Sequence, residues 1–124
     1  MLAASKMMGF VPTTDAKKAR AFYEGKLAFQ FFSDDPFALV VKAGDTMIRV
    51  AKTQNFTPAP YTVLGWEVSD LGKVVAWLKQ QGVTFEKYPF IQDQELGIWT
   101  TPNGDKVAWF KDPDGNVLSV SQHT

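Results

Sequence analysis

The chain has 124 residues, 45% of them apolar and 21% charged, with thirteen acids balancing thirteen bases, and is read as one ordinary globular domain with enough apolar side chains for a core of its own. With no net charge and no basic run it lacks the electrostatic footprint that a phosphate backbone or an anionic membrane demands, so neither nucleic acid nor membrane is an expected partner. The absence of cysteine removes disulfides, thiolate metal sites and a cysteine nucleophile together, and the opening MLAASKMMGF is too short and too weakly apolar for a signal peptide or a spanning helix, which points to the cytoplasm.

Residues 7–15, MMGFVPTTD, read as a strand running into capping residues, because Thr13, Thr14 and Asp15 can each accept from the open amides of a following helix. In DAKKARAFYEGKL the apolar positions Ala16, Ala19, Tyr23 and Leu27 lie three and four apart and predict one buried stripe. FQFFSD, FALVVKA and TMIRVAK follow as three strands rich in aromatic and branched residues, divided by DDP and AGD turns. TQNFTPAPY is a linker, since neither Pro58 nor Pro60 suits a helix interior or a central strand. The same order then returns. TVLGWEV is a strand, and SDLGKVVAWLKQQG is a helix capped by Ser69 or Asp70, with Leu71, Val74, Val75 and Leu78 on one face and Gly82 past its end. VTFEKY, DKVAWFK and NVLSV are predicted as strands, and GIWTT as a short extra piece joined through the PNG turn.

A shift of 55 residues lays TTDAKKARAFY on VSDLGKVVAWL, and a shift of 70 lays FALVVKAGDTMIRV on VAWFKDPDGNVLSV without a gap. The repeat predicts an α+β chain: a single domain over 1–124 made of two βαβββ modules, about 6–53 and 61–122, whose mixed sheet forms a cup with the helices on its outer face. Strand side chains alternate between the helix side and the hollow. Apolarity assigns Ile48, Val50, Leu64, Trp66, Val68, Leu118 and Val120 to the helix side, leaving Met8, Phe10, Pro12, Met47, Arg49, Val63, Gly65, Glu67, Val117, Ser119 and Ser121 facing the hollow.

The doubled unit, the passage VPTTDAKKARAFYEGKL and the ending WFKDPDGNVLSVSQ together resemble the vicinal oxygen chelate superfamily, the group of glyoxalases, bleomycin-resistance proteins, fosfomycin-resistance enzymes and extradiol dioxygenases. The resemblance implies a glyoxalase-like fold. It also implies that a divalent metal, where one is held, is held by histidine, glutamine or glutamate at four strand positions, which fall here on Met8, Arg49, Val63 and Ser119. A thioether, a guanidinium, an isopropyl group and a hydroxyl do not make a site for zinc, nickel, manganese or iron. A slip of one residue in register would exchange the faces, but the chain holds only one histidine, His123, and a two-histidine iron site is out of reach. No metal and no cofactor is therefore expected.

What remains facing the hollow is a binding surface. Arg49 is the expected anion contact, with Glu67 its candidate partner, because a buried guanidinium needs a carboxylate from the protein or a ligand. Phe10, Trp109 and Met47 would form the walls, Tyr61, Tyr88 and Trp99 the rim, and Met8, Val63 and Ser119 the remaining lining. IQDQELG reads as a solvated loop placed to act as a lid. His123 reads as a frayed residue without a role. The sequence thus points to a metal-independent small-molecule binding protein of the sequestration type, similar to the bleomycin-resistance branch, with an aromatic and anionic ligand. Members of that branch are often dimers, which makes a homodimer the expected assembly. The alternative is a metal-free lyase or isomerase in which Glu67 removes a proton from carbon and Arg49 stabilises the enolate. A third is an interaction module whose aromatics meet a protein.

Overall fold

The computed structural model describes residues 1–124 and divides into two compact units, Met1–Thr57 and Pro58–Thr124, a boundary that falls inside the proline-bearing stretch 53–61. Each unit is a four-stranded mixed sheet with one helix, so the chain is α+β.

The first unit runs β1 (Met8–Thr13), α1 (Ala16–Arg20), β2 (Gln30–Asp34), β3 (Ala38–Ala43) and β4 (Thr46–Lys52), with sheet order β1-β4-β3-β2. Asp15 caps α1, its carboxylate accepting from Lys18 N at 3.1 Å. After Arg20 the helix loosens into a π-helical stretch, Ala21–Lys26, closed by Leu27 N donating to Phe22 O. The wider turn brings two neighbouring rings, Phe22 and Tyr23, into the core together with Ala19 and Leu27, edge to face at 5.2 Å. The sheet side of this core is Val11, Leu39, Val41, Ile48 and Val50, in register across β1, β4 and β3.

The second unit runs β5 (Thr62–Glu67), α2 (Leu71–Gln80), β6 (Trp99–Thr100), β7 (Lys106–Lys111) and β8 (Val117–Gln122), with order β5-β8-β7-β6. Asp70 caps α2 as Asp15 caps α1, accepting from Lys73 N at 3.2 Å. Gly82, at φ +91°, ends the helix, and Val83 N returns to Leu78 O. Leu71, Val75 and Leu78 pack on Ala108, Phe110, Leu118 and Val120, and Gln122 Oε1 ties the helix start to β8 by accepting from Leu71 N at 2.9 Å. Trp66 stacks on Phe110 from β5.

Three expectations are corrected. The strand predicted at 83–88 is reduced to a single bridge between Phe85 and Phe110, with Glu86 N donating to Trp109 O; the chain then leaves the sheet edge, where Pro89 has no amide to give, and Trp99–Thr100 takes up the remainder of that edge. The gapless shift of 70 holds for β4 and β8 but not for the strands before them. Lys42 pairs with Met47 across a four-residue connection and Lys111 pairs with Val117 across a five-residue one, so β3 maps on β7 by a shift of 69. The extra residue lies in the DPDGN turn, and without it every side chain of β7 would face the other way. Finally, β5 carries a bulge between Thr62 and Leu64, which sets Thr62, not Val63, opposite Val117.

Candidate functional site

Opposite its helix, each sheet presents an open face built in rows, because residues in register on neighbouring strands point the same way. In the first unit the rows are Met8–Met47–Lys42, Phe10–Arg49–Val40 and Pro12–Ala51–Ala38. In the second they are Thr62–Val117–Lys111, Gly65–Ser119–Trp109 and Glu67–Ser121–Val107–Trp99. Arg49 and Ser119 hold equivalent central places. Their neighbours are exchanged in size: the first unit sets a large Phe10 on the edge strand and a small Val40 inside, the second sets Gly65 on the edge and Trp109 inside. At Gly65 a Cβ would stand 3.2 Å from Ser119 Oγ and 3.4 Å from Ser119 O, so a larger residue would press on Ser119.

The expected residues divide between the units. Met8, Phe10, Met47 and Arg49 share the open face of the first, with Met8 and Phe10 exposed and Met47 and Arg49 half-buried. The carboxylate that responds to Arg49 in this unit is Asp35. It is held below its ordinary value of 3.8, first by the amides of Ala38 and Phe37, whose N–H groups it accepts at 2.9 and 2.7 Å, and then by the charges of Arg49 and Lys52. Ser119, Trp109, Glu67, Tyr61 and Val63 belong to the second. Glu67 is exposed on the edge strand β5. Val63 is corrected: it sits in the bulge, and the place equivalent to Met8 is filled by Thr62.

A recess of about 320 Å³ opens in the second unit, lined by Pro60, Tyr61, Thr62, Tyr88, Phe90, Trp109 and Val117. Its aromatic wall is a connected cluster. Phe90 stacks on Tyr88 with centroids 5.6 Å apart and planes at 14°, and meets Trp109 and Trp99 edge to face at 5.8 and 5.6 Å; Trp99 and Trp109 are 6.0 Å apart. Phe90 and Trp109 each meet the other three rings, and Phe90 is 55% exposed, so part of its ring is available for stacking. Sequence reasoning passed over it. The signal was YPF at 88–90: two aromatics around a proline, just where the predicted strand had to end.

The loop 91–97 is fastened rather than poised as a lid. Gln94 donates to Tyr88 O and Ile91 O at 2.9 and 2.7 Å, Gln92 exchanges two bonds with Thr100, and Asp93 accepts from Leu96 N. Its Asp93 and Leu96 border a different hollow of about 390 Å³, mostly polar, beside the start of α2.

The four positions that the resemblance assigns to ligands carry Met8, Arg49, Ser119 and, after the bulge, Thr62, a set without imidazole or carboxylate. No group of three His, Cys, Asp or Glu side chains converges anywhere in the chain. The residues present do not fit the metal.

His123 is also corrected, for it is held and not frayed. Its Nδ1 lies 2.9 Å from Asp105 Oδ2 and its Nε2 lies 2.9 Å from Ser121 Oγ. No helix is long and apolar enough to cross a membrane.

The family model described as Glyoxalase/Bleomycin resistance protein/Dioxygenase superfamily matches residues 6–120. Among solved structures, TnmS3, an antibiotic binding protein from Streptomyces sp. CB03234, is 26% identical with a TM-score of 0.73, covering 100% of this chain and 99% of that one. A member of the same superfamily from Sphaerobacter thermophilus is 24% identical with a TM-score of 0.74, covering 99% and 100%. Lactoylglutathione lyase from Agrobacterium tumefaciens is 17% identical with a TM-score of 0.71, covering 96% and 93%, a likeness of fold. No curated protein matches the chain.

Proposed function

Because the chain belongs to the Glyoxalase/Bleomycin resistance protein/Dioxygenase superfamily, we propose that it is a metal-independent small-molecule binding protein of the sequestration type, which stacks a planar aromatic ligand in the recess of its second unit. The observation that carries this reading is the aromatic cluster of Tyr88, Phe90, Trp99 and Trp109 bordering an open recess, in a chain whose donors do not suit a metal. Rings already packed against one another are rigid, so a ligand ring that joins them loses little of its affinity to ordering the site. That the Streptomyces relative, the most similar of the three in sequence, is an antibiotic binding protein supports the same class of role. On the open face of the first unit, Arg49 is assigned a separate role as a contact for anionic groups.

Binding ranks above lyase or isomerase chemistry. A carboxylate base working on a carbon acid needs a water-excluded setting, and Glu67 is exposed on an edge strand. The protein acts in this reading as a cytoplasmic homodimer. Met8 and Phe10 on edge strand β1, with Phe32 and Phe37, stand 45%, 62%, 59% and 77% exposed, an apolar set that a second copy would cover.

The test is tryptophan fluorescence during titration with naphthalene and anthracene carboxylates and their neutral amides. Saturable quenching is expected, and Trp109→Ala and Phe90→Ala should each weaken it about tenfold or more, the loss expected for a stacking ring. Binding unchanged by both substitutions would remove the recess from the account.

A further inference from the structure

Beyond ligand binding, we propose that Ser121, His123 and Asp105 form a nucleophile, base and orienting carboxylate that hydrolyse aryl esters through an acyl-serine. The arrangement follows from register. Ser119 and Ser121 are two apart on the open face of β8, and His123 follows just past the end of the strand. The β7–β8 ladder pairs Trp109 with Ser119 and Val107 with Ser121 and ends at Lys106 and Gln122, and just beyond it the side chains of Asp105 and His123 meet. Asp105 Oδ2 lies 2.9 Å from His123 Nδ1, and His123 Nε2 lies 2.9 Å from Ser121 Oγ.

The carboxylate itself is fixed from its other side. Asp105 Oδ1 accepts from Thr124 N at 2.9 Å and from Thr124 Oγ1 at 3.2 Å. These bonds, Thr124 N first and His123 next, hold Asp105 below its ordinary value of 3.8, so it is ionised and acceptor-only near neutral pH. An ionised carboxylate at Nδ1 demands that Nδ1 carry the proton, which leaves Nε2 with its lone pair toward the serine. That is the tautomer a general base needs, and a serine hydroxyl, a base and an orienting acid in this order are recognised by geometry rather than by sequence position. Ser121 is half-buried on the row Glu67–Ser121–Val107–Trp99, with Val107 beside it and Trp99 one strand further on.

In the reaction, Ser121 Oγ bonds to the ester carbonyl carbon while His123 Nε2 takes its proton. The carbon–oxygen bond to the phenol breaks, and the phenolate leaves with that proton. Water, deprotonated by the same nitrogen, then attacks the acyl carbon, and Ser121 regains its proton as the acid departs. One ester and one water become one acid and one phenol. β8 is flanked by β5 and β7, so its amides are engaged in ladders on both sides and offer no oxyanion pair. This restricts the substrate to esters whose leaving group departs readily, phenyl esters rather than alkyl esters or amides.

The test uses the whole chain and p-nitrophenyl acetate, with stopped-flow release of p-nitrophenolate and peptide mapping of the acid-quenched protein. The expected result is a burst, one acetyl group on Ser121, and none on Ser119, the neighbouring serine on the same face that lacks a histidine. Ser121→Ala should abolish the burst and His123→Ala should slow acetylation about 100-fold, the usual contribution of a general base. Asp105→Asn should slow it while Asp105→Glu restores part of the rate, a difference that a merely structural tie would not produce. Acetylation spread over lysines at the same rate in Ser121→Ala, or Ser119 modified as fast as Ser121 in the unsubstituted protein, would overturn the proposal. The map of the unsubstituted protein decides even if a variant fails to fold, and none of these outcomes depends on the recess binding a ligand.

Discussion

Arg49 and Trp109 reach the open faces of their sheets for the same reason, that their strands alternate and their neighbours Ile48, Val50, Ala108 and Phe110 are claimed by the cores. If Arg49 is an anion contact of the first unit, Arg49→Ala should weaken carboxylate binding there about tenfold and leave stacking in the recess of the second unit unchanged, because one charge-assisted hydrogen bond is at stake; isothermal titration with carboxylates and with their neutral amides measures the difference. At this scale alternation and apolarity sufficed to read Arg49, Ser119 and Trp109 in the sequence. They failed at Val63, since a bulge adds one residue without leaving a mark in composition, and the run Thr62, Val63, Leu64 offers no polar residue to reveal which way it turns. Ser121 was legible as an open-face residue, but His123 lies just past the end of β8 and reads as a frayed terminus, and its partner Asp105 is 18 positions away, brought near only by the pairing of β7 with β8.

The helix caps and the DPDGN turn set where the elements begin and how they register. Asp15 and Asp70 perform one task in two places, so Asp15→Ala and Asp70→Ala should each cost about 1 kcal/mol in urea unfolding, with little change in ligand binding. Asp112 does more. It is 6% exposed, accepts from Asp114 N, Asn116 N and Asn116 Nδ2, and gives its own amide to Asn116 O, while Asn116 is 2% exposed. Asp112→Ala strips these donors of their acceptor in a buried setting and should cost about 2–3 kcal/mol; the same unfolding experiment should also show weaker ligand binding, since this turn sets the face on which Trp109 lies. The strands and helix starts were readable from period and caps. The π-helical stretch was not, because AFYEGK carries an ordinary helical pattern until the pairing of Phe22 and Tyr23 in the core rewards a wider turn. The strand expected at 83–88 had the right composition but met Pro89 and a competing edge segment.

Taken whole, the chain is one design used twice and then differentiated, with the same order of elements, the same aspartate caps and the same central position on the open face. The duplication was visible in the sequence because caps and core stripes repeat with fixed spacing. The aromatic recess was only partly visible, since rings such as Tyr88, Phe90 and Trp99 come from irregular or very short segments to which no periodicity applies. Acid should act on both units. Asp35 and Asp105 have lowered values in the folded chain, so their contribution to stability is complete above about 3.8 and is lost as pH falls further through the folded values; the melting temperature should drop below pH 4 more steeply in the unsubstituted protein than in Asp105→Asn. Sedimentation should give a dimer, shifted toward monomer by Phe10→Lys. The central claim, binding without metal, is tested most directly by titrating chelator-treated protein with the anthracene carboxylate that quenches its tryptophans best, before and after addition of zinc, nickel, manganese or iron(II). The account predicts one dissociation constant throughout and no rise in melting temperature from the metals alone. Affinity that appears only with a metal, or a stoichiometric metal that stabilises the fold, would contradict it.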